Sequence, residues 1–188
     1  MIKIMIGIYA AVVAGLVIAE FKSARKPQMF FKTFAALGFC VIALVSGALD
    51  SPYGQLILAA LIACAVGDVC LLSRSKPALF KLGMAAFAAG HAVYIFAFAA
   101  LGPLELPHYG IIIALIMFGM ISVRYLWPHM PGDMKIPVLV YNGIILAMVL
   151  AAIATQQKIV IIAAVMFAVS DVFVARDWFV VREPRNAL

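Results

Sequence analysis

Charged side chains are scarce in this sequence. Only 12% of its 188 residues are Asp, Glu, Lys or Arg, whereas 67% are hydrophobic. A soluble globular domain has about 25% charged and about 45–50% apolar residues, so this composition excludes an ordinary soluble fold. Acidic residues are fewer than basic residues, with 8 Asp and Glu against 14 Lys and Arg. The sequence therefore predicts an integral membrane protein.

Cysteine and histidine are also rare, with three residues of each. Cys40, Cys64 and Cys70 all lie inside apolar segments, and their spacing matches neither CxxC nor a zinc finger. The histidines show no HxxxH or HExxH spacing. We therefore expect no disulfide, no metal and no cofactor.

The excess of basic residues gives a formal net charge of +6. In a soluble protein this charge would suggest a nucleic-acid partner. In a membrane protein, basic residues in loops set the topology and contact anionic lipid headgroups. We therefore expect membrane lipid rather than nucleic acid as a partner, and the sequence gives no indication of the oligomeric state.

Hydropathy divides the sequence into seven apolar segments. They lie at residues 2–19, 30–49, 54–72, 79–101, 109–127, 136–154 and 159–174 or slightly beyond. Breakers separate them, including Lys26-Pro27, Ser51-Pro52, Lys76-Pro77 and the stretch 128–137. In lipid such segments favour helix, because an open strand leaves backbone groups unsatisfied. We predict an all-α fold, a polytopic transmembrane bundle of about seven helices that forms a single integral membrane domain over residues 1–188. Residues 1–19 are interpreted as a retained first helix rather than a signal peptide.

Basic residues are distributed unevenly between the predicted loops. All 14 Lys and Arg residues except Lys3 and Lys158 fall at one side of the predicted membrane. Short loops rich in Lys and Arg face the cytoplasm, so the pattern predicts an outside N-terminus and a cytoplasmic C-terminus. The predicted location is a multi-pass integral membrane protein, in the inner or plasma membrane if the source is bacterial.

Two aspartates lie in apolar surroundings, in phrases that nearly repeat. Residues 65–69 read Ala-Val-Gly-Asp-Val and residues 168–172 read Ala-Val-Ser-Asp-Val. Arg74 follows the first phrase and Arg176 follows the second. A charged side chain at the centre of a membrane helix costs about 2.5–3.5 kcal/mol on insertion scales, and such residues usually serve function. Asp68 and Asp171 are therefore the candidate functional pair, near the cytoplasmic leaflet. The alternative is a structural role, in which each Asp bridges to Arg, Lys or a backbone donor.

Other polar residues lie at depths where they could join this pair. Lys32 begins the second segment from the cytoplasmic side, and Tyr141 and Asn142 lie about two turns into the sixth. His91 and Tyr94 share one helix face near the middle of the fourth segment. Three of them have a simpler interpretation: snorkelling for Lys32, a helix–helix hydrogen bond for His91 and an interfacial aromatic belt for Tyr141.

These residues and their order resemble the YhhN-like family of membrane lysoplasmalogenases. The resemblance covers roughly residues 26–178 and rests on the two Asp phrases, on Gly90-His91 with Tyr94, and on Tyr141, Phe80, Gly83, Phe87, Met148 and Phe167. It implies hydrolysis of the vinyl ether of lysoplasmalogen to a fatty aldehyde and glycerophosphoethanolamine or glycerophosphocholine. It also implies that Asp68 and Asp171 are the catalytic acids and that Lys32, His91, Tyr94 and Tyr141 line the pocket. The family usually continues into an eighth helix, whereas this chain stops at Leu188.

The chemistry of an enol ether fits a pair of carboxyl groups. Hydrolysis begins with proton transfer to carbon and gives an oxocarbenium ion, which water captures. One carboxyl must therefore carry a proton while its neighbour stays ionised to stabilise the cation. The substrate is a lysophospholipid whose phosphate we expect near Lys32, Arg74 or Arg176, with its tail between the helices and entry from the cytoplasmic leaflet.

Two other functions also use a pair of intramembrane aspartates. An intramembrane aspartyl protease would do so, and Pro77-Ala78-Leu79 is similar to a motif of that family, but Gly-x-Gly-Asp is missing. A proton-coupled carrier could use the pair as a relay. It would be expected to have broken helices near the bilayer midplane, whereas the prolines here lie mainly between segments.

Overall fold

The computed structural model describes residues 2–21, 25–72 and 76–181. Within these ranges the chain forms seven helices and no strand, so the predicted all-α class and helix number are confirmed. The helices are α1 (Ile2–Phe21), α2 (Arg25–Val45), α3 (Pro52–Leu71), α4 (Pro77–Ala99), α5 (Tyr109–Leu126), α6 (Gly132–Ala154) and α7 (Lys158–Arg176). Short 3₁₀ turns follow α2 and α5, and a π-helical turn at Asp177–Val181 extends α7.

Five of these helices, within the described ranges, are long and apolar enough to cross a membrane. They are α3, α4, α5 with the turn after it, α6, and α7 with its π-helical extension. An α-helix rises about 1.5 Å per residue, so about 20 residues span the 30 Å hydrocarbon core. α2 has a shorter apolar stretch at Phe30–Val45, and α1 has 20 residues. Length and composition thus suit a multi-pass bundle.

The prediction for the second segment, residues 30–49, is wrong at both ends. α2 begins at Arg25, which places Pro27 inside its first turn. The backbone N–H that proline lacks has no helical partner in a first turn, so Pro27 does not break the helix. α2 ends at Val45 because Gly47 has a φ of 81°, and the chain then makes a 3₁₀ turn at Ala48–Asp50.

The sixth segment also begins earlier than predicted. α6 starts at Gly132 and continues through Pro137, which was expected to belong to the breaker. A proline inside a helix removes one backbone hydrogen bond, a loss that membrane helices tolerate when neighbouring groups compensate. The other proline boundaries are as expected. Pro52 and Pro77 open α3 and α4, and the Ser51 hydroxyl accepts a hydrogen bond from the Gly54 N–H at 3.1 Å.

The chain forms two compact units, Met1–Ala100 and Leu101–Leu188. We call them the N-terminal unit, with α1 to α4, and the C-terminal unit, with α5 to α7. The N-terminal unit is held together most closely at the seam of α3 and α4. A Cβ atom added to Gly83 would lie 3.1 Å from the Gly67 carbonyl oxygen, and one added to Gly90 would lie 2.8 Å from the Cys64 Sγ atom. Gly83 and Gly90 therefore allow close approach of the two helices.

In the C-terminal unit, a glycine likewise allows close packing at the seam of α5 and α6. A Cβ atom on Gly119 would meet the Leu146 side chain and lie 2.9 Å from Asn142 Nδ2. The loop before α5 is tied to the end of α6 by a hydrogen bond of 2.9 Å from the Glu105 N–H to the Ala154 carbonyl. The His108 ring then caps α5 by accepting from the Gly110 N–H at 3.3 Å. These two contacts fix the end of the seam at which α5 begins and α6 ends.

The seam of α3 and α4 gives a stability test. We expect Gly90→Leu to lower stability by about 1–3 kcal/mol, because a side chain there must displace Cys64 or the Ala60 carbonyl. Gly143→Leu is the matched control, since nothing lies within 4 Å of its added Cβ. The measurement is the temperature at which purified protein loses monodispersity in detergent. Equal midpoints for the two variants would contradict this packing.

Candidate functional site

In the N-terminal unit, Asp68 forms an ion pair with Lys32. The Lys32 Nζ atom lies 3.3 Å from Asp68 Oδ1. Asp68 is three residues before the end of α3 and Lys32 is in the second turn of α2, so two successive helices present them at the same end of the unit. Their side chains are 33% and 30% exposed. An opposite charge at this distance compensates the cost of removing the carboxylate from water.

Gly67 positions the backbone next to Asp68. A Cβ atom on Gly67 would lie 2.5 Å from the Phe87 ring, so only glycine allows α4 to pack this closely beside the carboxylate. Phe87 is the first ring of a row along α4. The Phe87 and His91 ring centroids are 6.4 Å apart, those of His91 and Tyr94 6.5 Å, and those of Tyr94 and Phe98 5.9 Å.

His91 and Tyr94, two predicted pocket residues, belong to the core of this unit. His91 has no exposed surface and Tyr94 is 6% exposed. The i, i+3 spacing correctly predicts that they share a face, and this face packs inside the N-terminal unit. Their burial supports a packing role, and contact with substrate stays a prediction.

Tyr9 on α1 is a neighbour of Asp68 that the sequence analysis missed. The carboxylate lies close enough to act electrostatically on the Tyr9 hydroxyl. Its ring packs on Phe39 with centroids 4.8 Å apart and fills the space beside Gly38. The only signal in the sequence is a phenol in the middle of an apolar helix, and hydropathy does not show which neighbour it approaches.

In the C-terminal unit, Asp171 accepts a hydrogen bond from Tyr141. The Tyr141 hydroxyl donates to Asp171 Oδ2 at 3.1 Å, from α6 to α7. Both side chains line a cavity of about 40 Å³ between α5, α6 and α7, and Asn142 also lines it. A cavity needs roughly 10–15 Å³ of such space to hold one water molecule, so this one has room for water beside the carboxyl.

The two predicted phosphate-binding arginines differ in what the structure describes. Arg176 is the last residue of α7, about 7.5 Å along the helix axis from Asp171. Arg74 lies outside the described residues. Among the described side chains, no group of three or more His, Cys, Asp and Glu residues could hold a metal ion.

Five of the predicted site residues thus form two local clusters, each with one aspartate. Lys32 and Asp68 meet in the N-terminal unit, and Tyr141, Asn142 and Asp171 meet in the C-terminal unit. Each carboxyl has a partner that stabilises it inside an apolar bundle. Such an arrangement can hold a carboxylate beside a cation, and a second carboxyl beside a hydroxyl and a water-sized space.

Comparison with known proteins identifies relatives of the chain. Lysoplasmalogenase TMEM86B of Homo sapiens is 35% identical over 159 residues, which are 81% of this chain and 67% of the human protein. The proteins of the same name from Rattus norvegicus and Mus musculus are each 34% identical, over 70% and 69% of this chain. The chain spans about two thirds of the length of the human relative, and 53% and 54% of the rat and mouse relatives. No solved structure matches the chain.

The match to a family covers nearly all of the helical chain. Residues 27–188 match the YhhN family. This range contains Lys32, Asp68, Tyr141 and Asp171, whereas α1 with Tyr9 precedes it. The resemblance drawn from the sequence is confirmed, and the chain belongs to the YhhN family.

Proposed function

We propose that this protein is a lysoplasmalogenase, a membrane ether hydrolase. The observation that carries the proposal is its similarity to relatives named lysoplasmalogenase, over 81% of the chain in the human case. The reaction adds one water to the vinyl ether of lysoplasmalogen and releases a fatty aldehyde and glycerophosphoethanolamine or glycerophosphocholine. The helical, apolar fold suits a substrate that is itself a membrane lipid.

The two carboxyl groups have complementary tasks in the mechanism that we propose. One carboxylic acid gives its proton to the vinyl carbon farther from the ether oxygen, and the nearer carbon becomes part of an oxocarbenium ion. The second carboxyl, as carboxylate, stabilises this cation and orients the water that adds to it. The hemiacetal then loses the glycerol oxygen as an alcohol and becomes the aldehyde, and the proton returns to the acid. General acid–base catalysis of this kind contributes roughly 10²–10⁴-fold.

Asp68 is our candidate for the carboxylate. It forms an ion pair with Lys32, which provides the counter-charge that an ionised carboxyl needs inside the bundle. Asp171 is then the acid, held in orientation by the hydrogen bond from Tyr141. The adjoining cavity, lined by Asn142, has room for the attacking water. This assignment requires both aspartates to act on one substrate molecule.

The orientation that we propose follows from the distribution of basic residues. With the N-terminus outside and the C-terminus cytoplasmic, Asp68 and Asp171 both approach the cytoplasmic leaflet. Arg176, at the end of α7, then lies at the headgroup level, where basic side chains attract the anionic headgroups of lipids. The whole chain acts as one membrane domain in this proposal.

The helices argue against the carrier alternative. α3, α4 and α7 run without interruption in the described structure, and α6 continues through its proline. A carrier of the inverted-repeat type would have discontinuous helices at its binding site. The protease alternative has only the pair of aspartates and Pro77-Ala78-Leu79 in its favour, and the structure uses that tripeptide as the first turn of α4.

The direct test is incubation of the purified protein with lysoplasmenylethanolamine and with its saturated ether analogue. We expect aldehyde from the vinyl ether alone, because only an enol ether gains an oxocarbenium ion on protonation at carbon. Aldehyde is measured as a trapped hydrazone. Release of fatty acid or peptide products without aldehyde would reject the proposed activity.

Substitution of each aspartate tests the mechanism. We expect Asp68→Asn and Asp171→Asn each to lower kcat by roughly 10²-fold or more, because neither amide can exchange the catalytic proton or stabilise the cation. Glu105→Gln is the matched control, since it removes a carboxylate from an exposed loop. Full turnover in both aspartate variants would show that the two-carboxylate mechanism is wrong.

Tyr141 tests the orientation of Asp171. Tyr141→Phe removes the donor at 3.1 Å and little volume, so we expect kcat to fall about tenfold while the variant stays folded. Tyr109→Phe is the control, because Tyr109 is 81% exposed at the start of α5. Steady-state rates with the vinyl ether substrate give the comparison. An unchanged kcat in Tyr141→Phe would remove Tyr141 from the mechanism.

A further inference from the structure

A wide groove runs along α5 and α6 in the C-terminal unit. Its volume is about 1080 Å³, slightly above the roughly 300–1,000 Å³ typical of ligand pockets. On α5 its lining extends from Ile116 to Pro128, and on α6 from Leu139 to Leu146. From Ile116 to Trp127 the helix rises about 16 Å. This length is close to half of the hydrocarbon core, about 15 Å, so the groove matches the depth of one leaflet.

The groove is apolar at one end and has a cation at the other. Ile116 and Met120 form the apolar end, and both are at least half exposed. Arg124, in the last turn of α5, lies at the other end with Trp127. The Lys135 Nζ atom lies 4.8 Å from the centre of the Trp127 ring, which brings a second positive charge to this end. Tryptophan is typical of the headgroup level of a membrane, and a guanidinium binds phosphate through paired hydrogen bonds.

The groove is continuous with the candidate site. Val123 and Asn142 line both the groove and the small cavity that contains Tyr141 and Asp171. Gly119 has no side chain at the point where α5 packs against the Asn142 amide, and both residues line the groove there. A hydrocarbon chain lying in the groove would therefore pass beside two residues that also line the cavity of Asp171.

We propose that the α5–α6 groove binds the substrate lysophospholipid, with its single hydrocarbon chain toward Ile116 and its phosphate on Arg124. This proposal rests on the proposed function for the identity of the lipid. In lysoplasmalogen the phosphate and the vinyl ether are separated by one glycerol backbone. Arg124 lies five residues, or about 7.5 Å, along α5 from Gly119. A phosphate on Arg124 therefore places the vinyl ether near Asn142.

The test measures binding without turnover. The protein is placed in nanodiscs of diacyl phosphatidylcholine and titrated with a radiolabelled saturated 1-O-alkyl glycerophosphoethanolamine, which has no vinyl ether to hydrolyse. We expect Arg124→Gln to weaken binding tenfold or more, in line with the loss of a charged hydrogen bond, and Arg124→Lys to restore part of it. Lys158→Gln, which removes a charge at the start of α7, should bind as the wild type does.

Two further comparisons separate the phosphate end from the chain end. The phosphate-free 1-O-alkylglycerol should bind equally to the wild type and to Arg124→Gln. Ile116→Trp should weaken binding of both ligands by filling the apolar end, whereas Ile113→Trp, on the same helix and outside the groove lining, should not. All variants are compared only when they elute as monodisperse protein.

The outcomes distinguish this proposal from the proposed activity. Equal binding by the wild type, Arg124→Gln and Ile116→Trp would overturn the groove as a lysophospholipid site. Absence of saturable binding above partition into the diacyl bilayer would also overturn it, and would show that ordinary bilayer lipid covers the groove. If the groove variants lose binding while the wild type does not cleave the vinyl ether, the activity is rejected and the binding site stands.

Discussion

The cost of placing a carboxyl group in hydrocarbon governs this structure. An isolated charge at the centre of a membrane helix costs about 2.5–3.5 kcal/mol on insertion scales, so each aspartate needs a partner from another helix. Asp68 has Lys32 from α2, and Asp171 has Tyr141 from α6. These pairs differ in kind. A cation balances a carboxylate, whereas a hydroxyl can donate to a carboxyl in either protonation state, and this difference underlies the roles proposed for the two residues.

Small residues make these pairings possible. Apolar side chains gain little by leaving lipid for a protein interior that is equally apolar, so membrane helices associate by close packing. Gly67 lies directly before Asp68 and lets Phe87 approach α3, and Gly119 lets α5 approach Asn142. In the dipeptide Gly67-Asp68, the glycine thus allows close helix packing and the aspartate provides the polar group. A side chain larger than glycine would separate the helices and alter the surroundings of the neighbouring polar group.

The sequence predicted the membrane class, the helix number and the ends at which Lys32 and Asp68 lie, because hydropathy and proline positions act locally. The prediction of helix boundaries failed at two prolines, where the position in the helix mattered more than the residue type. Pro27 and Pro137 look like breakers, yet one lies in a first turn and the other is tolerated inside a membrane helix. The prediction of site residues also missed Tyr9 and Arg124, because hydropathy places a residue by depth and not by direction around the helix. Contacts between helices need coordinates.

A hydrolase inside a membrane must reconcile two opposing requirements. A low dielectric strengthens the effect of a carboxylate on a nearby cation, but the reaction consumes water. The positions of the two aspartates suit both needs. Asp68 is three residues from the end of α3 and its side chain is 30% exposed, and Asp171 adjoins a cavity with room for water. A carboxyl at the bilayer centre would lack water for the reaction. In a loop, the surrounding solvent would screen its electrostatic effect on the cation. The last turns of membrane helices are therefore where such chemistry is feasible.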